Sequence, residues 1–170
     1  MAVSERNGGA GYGLPELGVV LEEMGRACVP GPFLPTAVAA IALDRWGGAE
    51  GSNLASLLAR GELIGGFALG DGAPVWSGGL AEVALVRRPD DAGCWGAVER
   101  AALETAGGRL EELISFDPTR RLARLGLSPE IFDDVAVGLD EAAPLAELVA
   151  VLASAEALGV GQWCVDTAAA

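Results

Sequence analysis

Histidine and lysine are absent from the sequence, and cysteine occurs only three times in 170 residues. Without histidine, the chain cannot itself supply a histidine general base, a Ser-His-Asp triad or a histidine metal ligand. The cysteines, Cys28, Cys94 and Cys164, are far apart and odd in number, which argues against a zinc site or a disulfide framework. We therefore expect three buried, reduced cysteines in a cytoplasmic protein.

Positive charge is also scarce, because arginine alone supplies the 11 basic residues that face 24 acidic ones and leave a net charge of -13. An acidic chain repels nucleic acid and anionic membrane surfaces, so neither is expected as a partner. The most apolar stretch, residues 145–165, is interrupted by Glu147 and Glu156, whereas a membrane span needs about 20 residues largely free of charge. Residues 1–13 are polar and glycine-rich, and we expect no signal peptide there.

Apolar residues, in contrast, are plentiful. They make up 51% of the chain, and the mean hydropathy is +0.38. That content is enough to bury a core. It exceeds the need of a solitary monomer, so we expect part of the apolar surface to meet a partner or another domain.

Hydrophobic periodicity predicts three helices in the first part of the chain. Apolar residues recur at three- and four-residue spacing over residues 14–29, which favours an amphipathic helix. Two further helices are predicted over residues 35–46 and 52–60, and we expect Ser52 or Asn53 to cap the third.

Short apolar runs separated by turn residues follow, and they predict a β-region. The last predicted element is a helix over residues 141–167 that is apolar on nearly all faces, which is typical of a helix buried in a bundle. Because helices and strands occur in separate runs, we predict an α+β fold with a helical region (1–61), a short-stranded β-domain (62–140) and one long buried C-terminal helix (141–170). The strand candidates are residues 63–69, 74–77, 82–88, 95–101, 110–116 and 120–127, the last of which also fits a short helix.

Several polar segments allow both a functional and a structural interpretation. The loop from Gly8 to Gly13 (GGAGYG) looks like a phosphate-binding loop, but no strand precedes it, so a turn is favoured. In the segment around Asp117, a turn is also favoured, in which the carboxylate accepts from backbone donors and pairs with an arginine. The acidic residues Glu16, Glu22, Glu23, Glu111 and Glu112 are interpreted as solvated surface rather than as acid–base groups.

The tryptophans raise a similar choice. Trp76, Trp95 and Trp163 have the ring size to stack on a flavin or a nucleobase. Single tryptophans in short strands and buried helices are more often part of the core, so the core interpretation is favoured for them.

Four segments resemble acyl-CoA dehydrogenases. Residues 7–36 (NGGAGYGLPELGVVLEEMGRACVPGPFLPT) resemble the part of that family that leads from its first helices to the helices of the substrate channel. Residues 58–69 (LARGELIGGFAL) resemble the entry into the family's middle β-domain, and residues 115–125 (SFDPTRRLARL) resemble a stretch late in that domain. Residues 153–168 (ASAEALGVGQWCVDTA) resemble the first helix of the C-terminal bundle. The four segments occur in the family's order.

The resemblance implies a helical N-terminal domain, a β-barrel middle domain and a helical C-terminal bundle. It also implies FAD as cofactor and an acyl-CoA thioester, from fatty acid or steroid degradation, as substrate. In the family a carboxylate takes the α proton and the flavin takes the β hydride. Ser77 takes the place of a polar flavin contact, so Ser77 and the adjacent Trp76 are the cofactor-binding candidates. The segment from Leu145 to Val165 is the expected contact in a homo- or hetero-oligomer.

The chain also departs from the family pattern. The stretch after Leu69 reads GDGAPVWSGG, in which only the glycines and Asp71 match the family's flavin-contacting sequence. The family's catalytic glutamate and its Arg-x-x-Phe-Gly and Gln-x-x-Gly-Gly stretches are expected beyond residue 170. No catalytic residue is therefore assigned here, and we expect an incomplete enzyme that is inactive alone. The alternatives are a non-catalytic partner subunit of a heteromeric dehydrogenase and an unrelated small α+β binding module.

Overall fold

The computed structural model of the protein describes residues 2–70, 72–140 and 144–169. Helices come first, a region of short strands follows, and one long helix comes last, which confirms the predicted α+β class. A 3-10 turn, Glu5–Asn7, precedes these elements. The helices are α1 (Leu14–Arg26), α2 (Phe33–Trp46), α3 (Gly48–Ala59), α4 (Arg100–Thr105), α5 (Pro129–Val135) and α6 (Leu145–Ala169). The strands are β1 (Gly65–Phe67), β2 (Val83–Arg88), β3 (Asp91–Glu99), β4 (Arg109–Glu112), β5 (Ala123–Gly126) and β6 (Ala136–Gly138).

The three N-terminal helices form where periodicity places them, with shifted ends. At the start of α1, the Glu16 carboxylate accepts a hydrogen bond of 2.9 Å from the Gly13 N–H, which satisfies one free donor of the first turn. Helix α3 begins at Gly48, so the prediction that Ser52 or Asn53 caps it is wrong. The Ser52 hydroxyl is used elsewhere, because it donates to the Asn7 side chain at 2.6 Å.

The strands form two small sheets. In the larger one the order is β1-β2-β3-β6, with β1 parallel to β2 and the other pairs antiparallel. Strands β4 and β5 pair antiparallel as a separate hairpin. The predicted strand over residues 74–77 is wrong, since only Val75 and Trp76 make single bridges there. The chain turns at Ser77, whose φ of 57° does not continue a strand.

Helices α4 and α5 and strand β6 are additions to the predicted elements. The strand predicted over residues 95–101 ends at Glu99, and Arg100 already begins α4. Helix α5 is capped by Ser128, whose hydroxyl accepts from the Ile131 N–H at 3.3 Å. These elements have three to seven residues, which is too short to show a hydrophobic period.

The main core lies between the helices and one face of the larger sheet. Every residue from Leu34 to Leu43 of α2 is buried, so this helix is enclosed on all sides. It approaches β1 closely at Gly65, whose N–H donates to the Thr36 hydroxyl at 3.1 Å. The core draws residues from all three predicted regions, while the domain boundaries themselves stay a prediction.

Helix α6 packs on α1 through two glycines that bring the backbones together. A Cβ atom at Gly25 would lie 2.0 Å from the carbonyl oxygen of Glu156, and one at Gly159 would lie 1.8 Å from that of Glu22. Both distances are shorter than any real contact, so each position requires glycine for this close approach.

The prediction that α6 is a buried helix is correct only for one face of its first half. Leu145, Leu148, Val149 and Leu152 are buried, whereas nearly all of the residues after 156 are exposed. Of that second half, Gly159 is buried against α1, and the other described residues are exposed. Residues 141–143 of the predicted helix lie outside the described residues.

Two further expectations about exposure also need correction. Cys28 and Cys164 are exposed and Cys94 is half-buried, so the prediction of three buried cysteines is wrong. Helix α6, with 25 residues and a mean hydropathy of 1.6 in its most apolar window, is long and apolar enough to cross a membrane, and 22% of that window is buried. The expected absence of membrane contact therefore stays a prediction.

Candidate functional site

A cleft of about 630 Å³ lies between the β-region and α6. One wall is formed by Trp76 and by the loop between β4 and β5, and the other by the middle of α6, from Ala153 to Val160. Most of its lining is apolar, including Phe116, Leu122 and Val160. A cleft of this size and character suits a small-molecule ligand with a large apolar part.

Trp76 gives the cleft a fixed aromatic wall. Its ring stacks on that of Phe67, with centroids 5.5 Å apart and an interplanar angle of 21°. Phe67 is fully buried, whereas Trp76 remains 41% exposed. The sequence prediction of a core residue is therefore wrong for Trp76, which lines this cleft instead.

Ser77 occupies a different environment. It is 3% exposed and does not line the cleft. Its N–H donates to the Arg120 carbonyl at 3.2 Å, and its own carbonyl accepts from Leu80 and Ala81 at 2.8 Å each. The positive φ of 57° is a strained conformation for a residue other than glycine. The predicted polar flavin contact at Ser77 stays a prediction, and the structure assigns this residue a tight turn beside Trp76.

Hydrogen bonds from an arginine side chain stabilise the turn after Trp76. Arg100, at the start of α4, donates to the carbonyl of Ala81 at 2.9 Å and to that of Gly78. Because both acceptors are main-chain atoms, this arginine fixes the path of the turn itself. The indole of Trp76 is thus positioned by rigid backbone on one side and by Phe67 on the other.

The charged groups of the cleft form one connected set. Arg120 donates to the Glu156 carboxylate at 3.2 Å, which joins the β4–β5 loop to α6, and its Nε lies 3.8 Å from Asp117. The hydroxyl and the N–H of Thr119 both donate to Asp117, at 2.7 and 2.9 Å. This confirms the predicted turn, in which Asp117 accepts local donors and pairs with an arginine.

The electrostatics of the cleft favour binding over proton transfer. Hydrogen bonds from the Thr119 hydroxyl and N–H lower the pKa of Asp117, and the charge of Arg120 acts in the same direction. Asp117 is therefore ionised at neutral pH, and Glu156 is held by the same arginine. Within the described residues, no group of three acidic or cysteine side chains is placed to hold a metal ion.

Two features of the site escaped the sequence interpretation. One is Glu156, which in the sequence only interrupts an apolar helix; a single acid within such a helix is the signal that points to it. The other is the tip of the β4–β5 loop, where Ile114 and Phe116 are fully exposed. Apolar side chains beside an Asp-Pro-Thr turn are the corresponding signal there. Trp163, with 46% exposure, is neither in the core nor in the cleft.

The chain matches no protein-family model. It is similar over its whole length to acyl-CoA dehydrogenase FadE34 of Mycobacterium tuberculosis, with 34% identity over 182 aligned residues that make up 24% of that protein. Acyl-CoA dehydrogenase IpdE2 of the same organism is 30% identical over 98% of the chain and 46% of its own length. The chain thus spans about half the length of IpdE2 and about a quarter of FadE34.

The chain is also similar to solved structures of acyl-CoA dehydrogenases. A variant of the Tcur3481-Tcur3483 steroid acyl-CoA dehydrogenase superposes with a TM-score of 0.75 and 27% identity, over 98% of this chain and 52% of that one. A glutaryl-coenzyme A dehydrogenase in complex with glutaryl-CoA superposes with a TM-score of 0.72 over 97% of this chain and 53% of that one. At 18% identity, the second structure shows a shared fold.

Proposed function

We propose that this chain, which belongs to the acyl-CoA dehydrogenase family, forms one wall of a site in which FAD oxidises an acyl-CoA at its α and β carbons. The observation that carries the proposal is the apolar cleft at Trp76, which lies between the β-region and α6 in a fold shared with these enzymes. The similarity extends over 98% of the chain with a TM-score of 0.75, which is incompatible with an unrelated binding module.

The cleft fits the ring system of FAD better than its diphosphate. The half-exposed indole of Trp76 and the apolar lining suit a planar, uncharged ring, which would stack on the indole. The cleft contains two carboxylates, Asp117 and Glu156, but only one guanidinium, that of Arg120. This excess of negative charge disfavours binding of the FAD diphosphate in the cleft. Trp76 would therefore hold the flavin ring, which supplies the oxidant when bound. Ser77 enters the proposal as the turn residue that positions Trp76.

We further propose a substrate with a bulky apolar acyl group, of the kind a steroid degradation product carries. A cavity of about 630 Å³ with largely apolar walls has room for such a group beside an aromatic ring. The name of a solved relative, a steroid acyl-CoA dehydrogenase, supports this choice.

The chain is proposed to act together with another polypeptide segment, in the same or a partner subunit, and to be inactive alone. Both cleft carboxylates are bound by Arg120, which leaves neither as a free proton acceptor. The exposed half of α6 offers an apolar surface for such a segment. The second candidate is a non-catalytic subunit of a heteromeric dehydrogenase. It is favoured by the solved relative Tcur3481-Tcur3483, whose name combines two protein designations. We propose that the protein is cytoplasmic, in keeping with the exposed thiols of Cys28 and Cys164.

Flavin titration tests the proposal. FAD is added to the purified chain, and binding is followed by the visible absorption of flavin retained after gel filtration and by flavin fluorescence. Trp76→Ala is expected to weaken binding on the order of tenfold, since stacking on an aromatic side chain contributes about 1–3 kcal/mol. Trp163→Ala is the matched control, because Trp163 is also exposed but does not line the cleft. Equal affinity of both variants, or no retained flavin in the wild-type chain, would contradict the assignment of the flavin to this cleft.

A further inference from the structure

Glu156 is a residue of α6 whose main chain and side chain reach different parts of the fold. Its main-chain carbonyl lies in the close contact with α1, where a Cβ at Gly25 would approach the oxygen to 2.0 Å. Its carboxylate lines the cleft at Trp76 and accepts from Arg120 at 3.2 Å. Glu156 therefore extends its charge into the cleft from a tightly packed point of the helix, where the backbone has little freedom to move.

The loop between β4 and β5 is held on α6 through Arg120. Within the described residues, this loop is joined to α6 by one side-chain hydrogen bond, which Arg120 donates to Glu156. At the tip of the loop, Ile114 and Phe116 are fully exposed, so they contribute no packing that would hold it. The two paired side chains are only 30% and 13% exposed, which makes their attraction stronger than that of a surface pair. The position of the loop relative to α6 therefore depends on this pair.

The backbone beside Arg120 carries the turn after Trp76. The Arg120 carbonyl accepts from the Ser77 N–H at 3.2 Å, and the Arg121 carbonyl accepts from the Gly79 N–H at 2.9 Å. Ser77 and Arg121 both have a positive φ, of 57° and 37°. A residue other than glycine keeps such a conformation only where its surroundings fix it, so the two segments form one rigid unit.

Two further contacts stiffen this unit without involving α6. Arg121 donates to both carboxylate oxygens of Glu112, at 2.7 and 2.8 Å. A Cβ at Gly78 would lie 2.6 Å from that of Ala123, so the turn also packs tightly against the start of β5. Because the unit is fixed internally, a displacement at the base of the loop is passed on to the indole of Trp76.

We propose that Arg120 and Glu156 are positioning residues of the cleft: their ion pair holds the unit that carries Trp76 at a set distance from α6 and so sets the orientation of the indole. Neither side chain needs to touch the bound ring for this role. The inference rests on the proposed function only in naming a flavin as the ring that Trp76 meets. Without the pair, the loop and the turn can move away from α6, and the cleft widens.

Fluorine NMR of the chain labelled with 5-fluorotryptophan tests the proposal without any ligand. The four tryptophan resonances are assigned with single tryptophan-to-phenylalanine variants. Glu156→Gln and Arg120→Gln are each expected to shift the Trp76 resonance by more than its line width. The double variant should shift it no further, since both changes break the same pair. Trp46 and Trp95, which do not line the cleft, should keep their resonances and report an intact fold.

Arg124→Gln is the matched control. It changes an arginine of the same hairpin that pairs loosely with Glu111, at 3.7 Å, and does not line the cleft, so the Trp76 resonance should stay in place. If Glu156→Gln fails to fold, Glu156→Asp carries the test, because it keeps the charge but withdraws it by one methylene. An unmoved Trp76 resonance in the folded variants of the pair, or additive shifts in the double variant, would overturn the positioning role.

The flavin titration separates this inference from the proposed function. Glu156→Gln and Arg120→Gln change the charge of the cleft in opposite directions, yet both are expected to weaken FAD binding several-fold, because the indole is no longer held. Opposite changes in affinity would indicate a direct effect of charge and contradict the positioning role. A shifted Trp76 resonance in variants of a chain that retains no flavin would contradict the proposed function and support the positioning role.

Discussion

Asp44 fastens the N-terminal segment to the end of α2. Its side chain is 7% exposed and accepts hydrogen bonds from the Ser4 N–H at 3.0 Å, the Ser4 hydroxyl at 2.5 Å and the Asn7 amide at 2.7 Å. Burial raises the pKa of Asp44, but these hydrogen bonds and the Arg6 charge outweigh burial and leave the pKa below its ordinary value. The carboxylate form of Asp44 therefore stabilises the folded state.

Asp44→Asn is expected to lower the free energy of unfolding at pH 7 by about 1–3 kcal/mol, because an amide nitrogen then faces donors. Because folding lowers the pKa of Asp44, its carboxylate contributes its full stabilisation above the pKa of the unfolded state. That stabilisation is lost as the pH falls through the lower pKa of the folded state. The difference in the free energy of unfolding between Asp44→Asn and the wild type should therefore shrink below about pH 4. Urea unfolding from pH 3 to 7 measures this. Asp134→Asn, at an exposed site, serves as the control, and a difference that does not change with pH would contradict the explanation.

Ser77 stores backbone strain that a glycine would release. At its φ of 57° a side chain costs about 1 kcal/mol, so Ser77→Gly should raise the free energy of unfolding by about 0.5 kcal/mol after the entropy of glycine is included. The same change at Ser154, inside α6, should lower it by about 0.5–1 kcal/mol. Urea midpoints of the two variants should move in opposite directions. A loss of stability in Ser77→Gly would mean that the hydroxyl has a structural role of its own.

At this scale the sequence predicts local chemistry but not distant partners. The turn at Asp117 follows from residues that are two and three positions apart, and it is found as predicted. The pair of Arg120 with Glu156 joins residues 36 positions apart, and only the folded chain brings them together. The same limit applies to Arg87, whose buried Nε has no hydrogen-bond partner among the described residues.

Among the elements, the contact between α1 and α6 is the most demanding sterically. Gly159→Ala would place a Cβ 1.8 Å from the Glu22 carbonyl oxygen, so the helices must separate. We expect the free energy of unfolding to fall by about 2 kcal/mol or more, as for an overpacked core. Thermal or urea unfolding followed by circular dichroism measures this.

Gly161→Ala is the matched control on the same helix, because a Cβ there meets nothing within 4 Å. It should raise the free energy of unfolding by about 0.5–1 kcal/mol, the usual gain of alanine over glycine inside a helix. If both variants lost the same stability, helix propensity in α6 and not the contact with α1 would be the cause.

The sequence predicts elements well where they are long and regularly patterned. Helices α1, α2, α3 and α6 were each placed within a few residues, because three or more turns show a period. Helices α4 and α5 were missed, since each has fewer than two full turns with a clear apolar face. The burial of α6 was overestimated for a different reason: apolar composition indicates that a surface needs a partner, and it does not say that the partner lies in the same chain.

For the whole molecule, the exposed face of α6 carries a regular apolar stripe. Val151, Leu158 and Val165 follow one another at seven-residue spacing and are 60%, 61% and 63% exposed. Such spacing aligns the three side chains along one side of the helix, as in a helix that packs lengthwise on another. An exposed stripe of this length favours association.

The isolated chain is therefore expected to self-associate, and more strongly at high salt, because salt screens the repulsion between molecules with a net charge of -13. Replacing Val151, Leu158 and Val165 with glutamine should return the chain to a monomer. Val19→Gln, which changes an equally exposed valine on α1, should not. Sedimentation velocity at low and high salt compares them, and a wild-type monomer at high concentration under both conditions would contradict the role of the stripe.

Because α1 pairs with α6, helix α1 cannot reach its final packing until α6 has been synthesised. Helix α1 leaves the ribosome early, but the glycine contacts that cover it come from residues made after everything between Arg26 and Leu145. At synthesis rates of about 5–20 residues per second, α1 waits roughly 6 to 24 s for its partner. During that interval its apolar face is open to chaperones and to neighbouring nascent chains, so we expect the yield of native protein to depend on translation speed as well as on the stability of the finished fold.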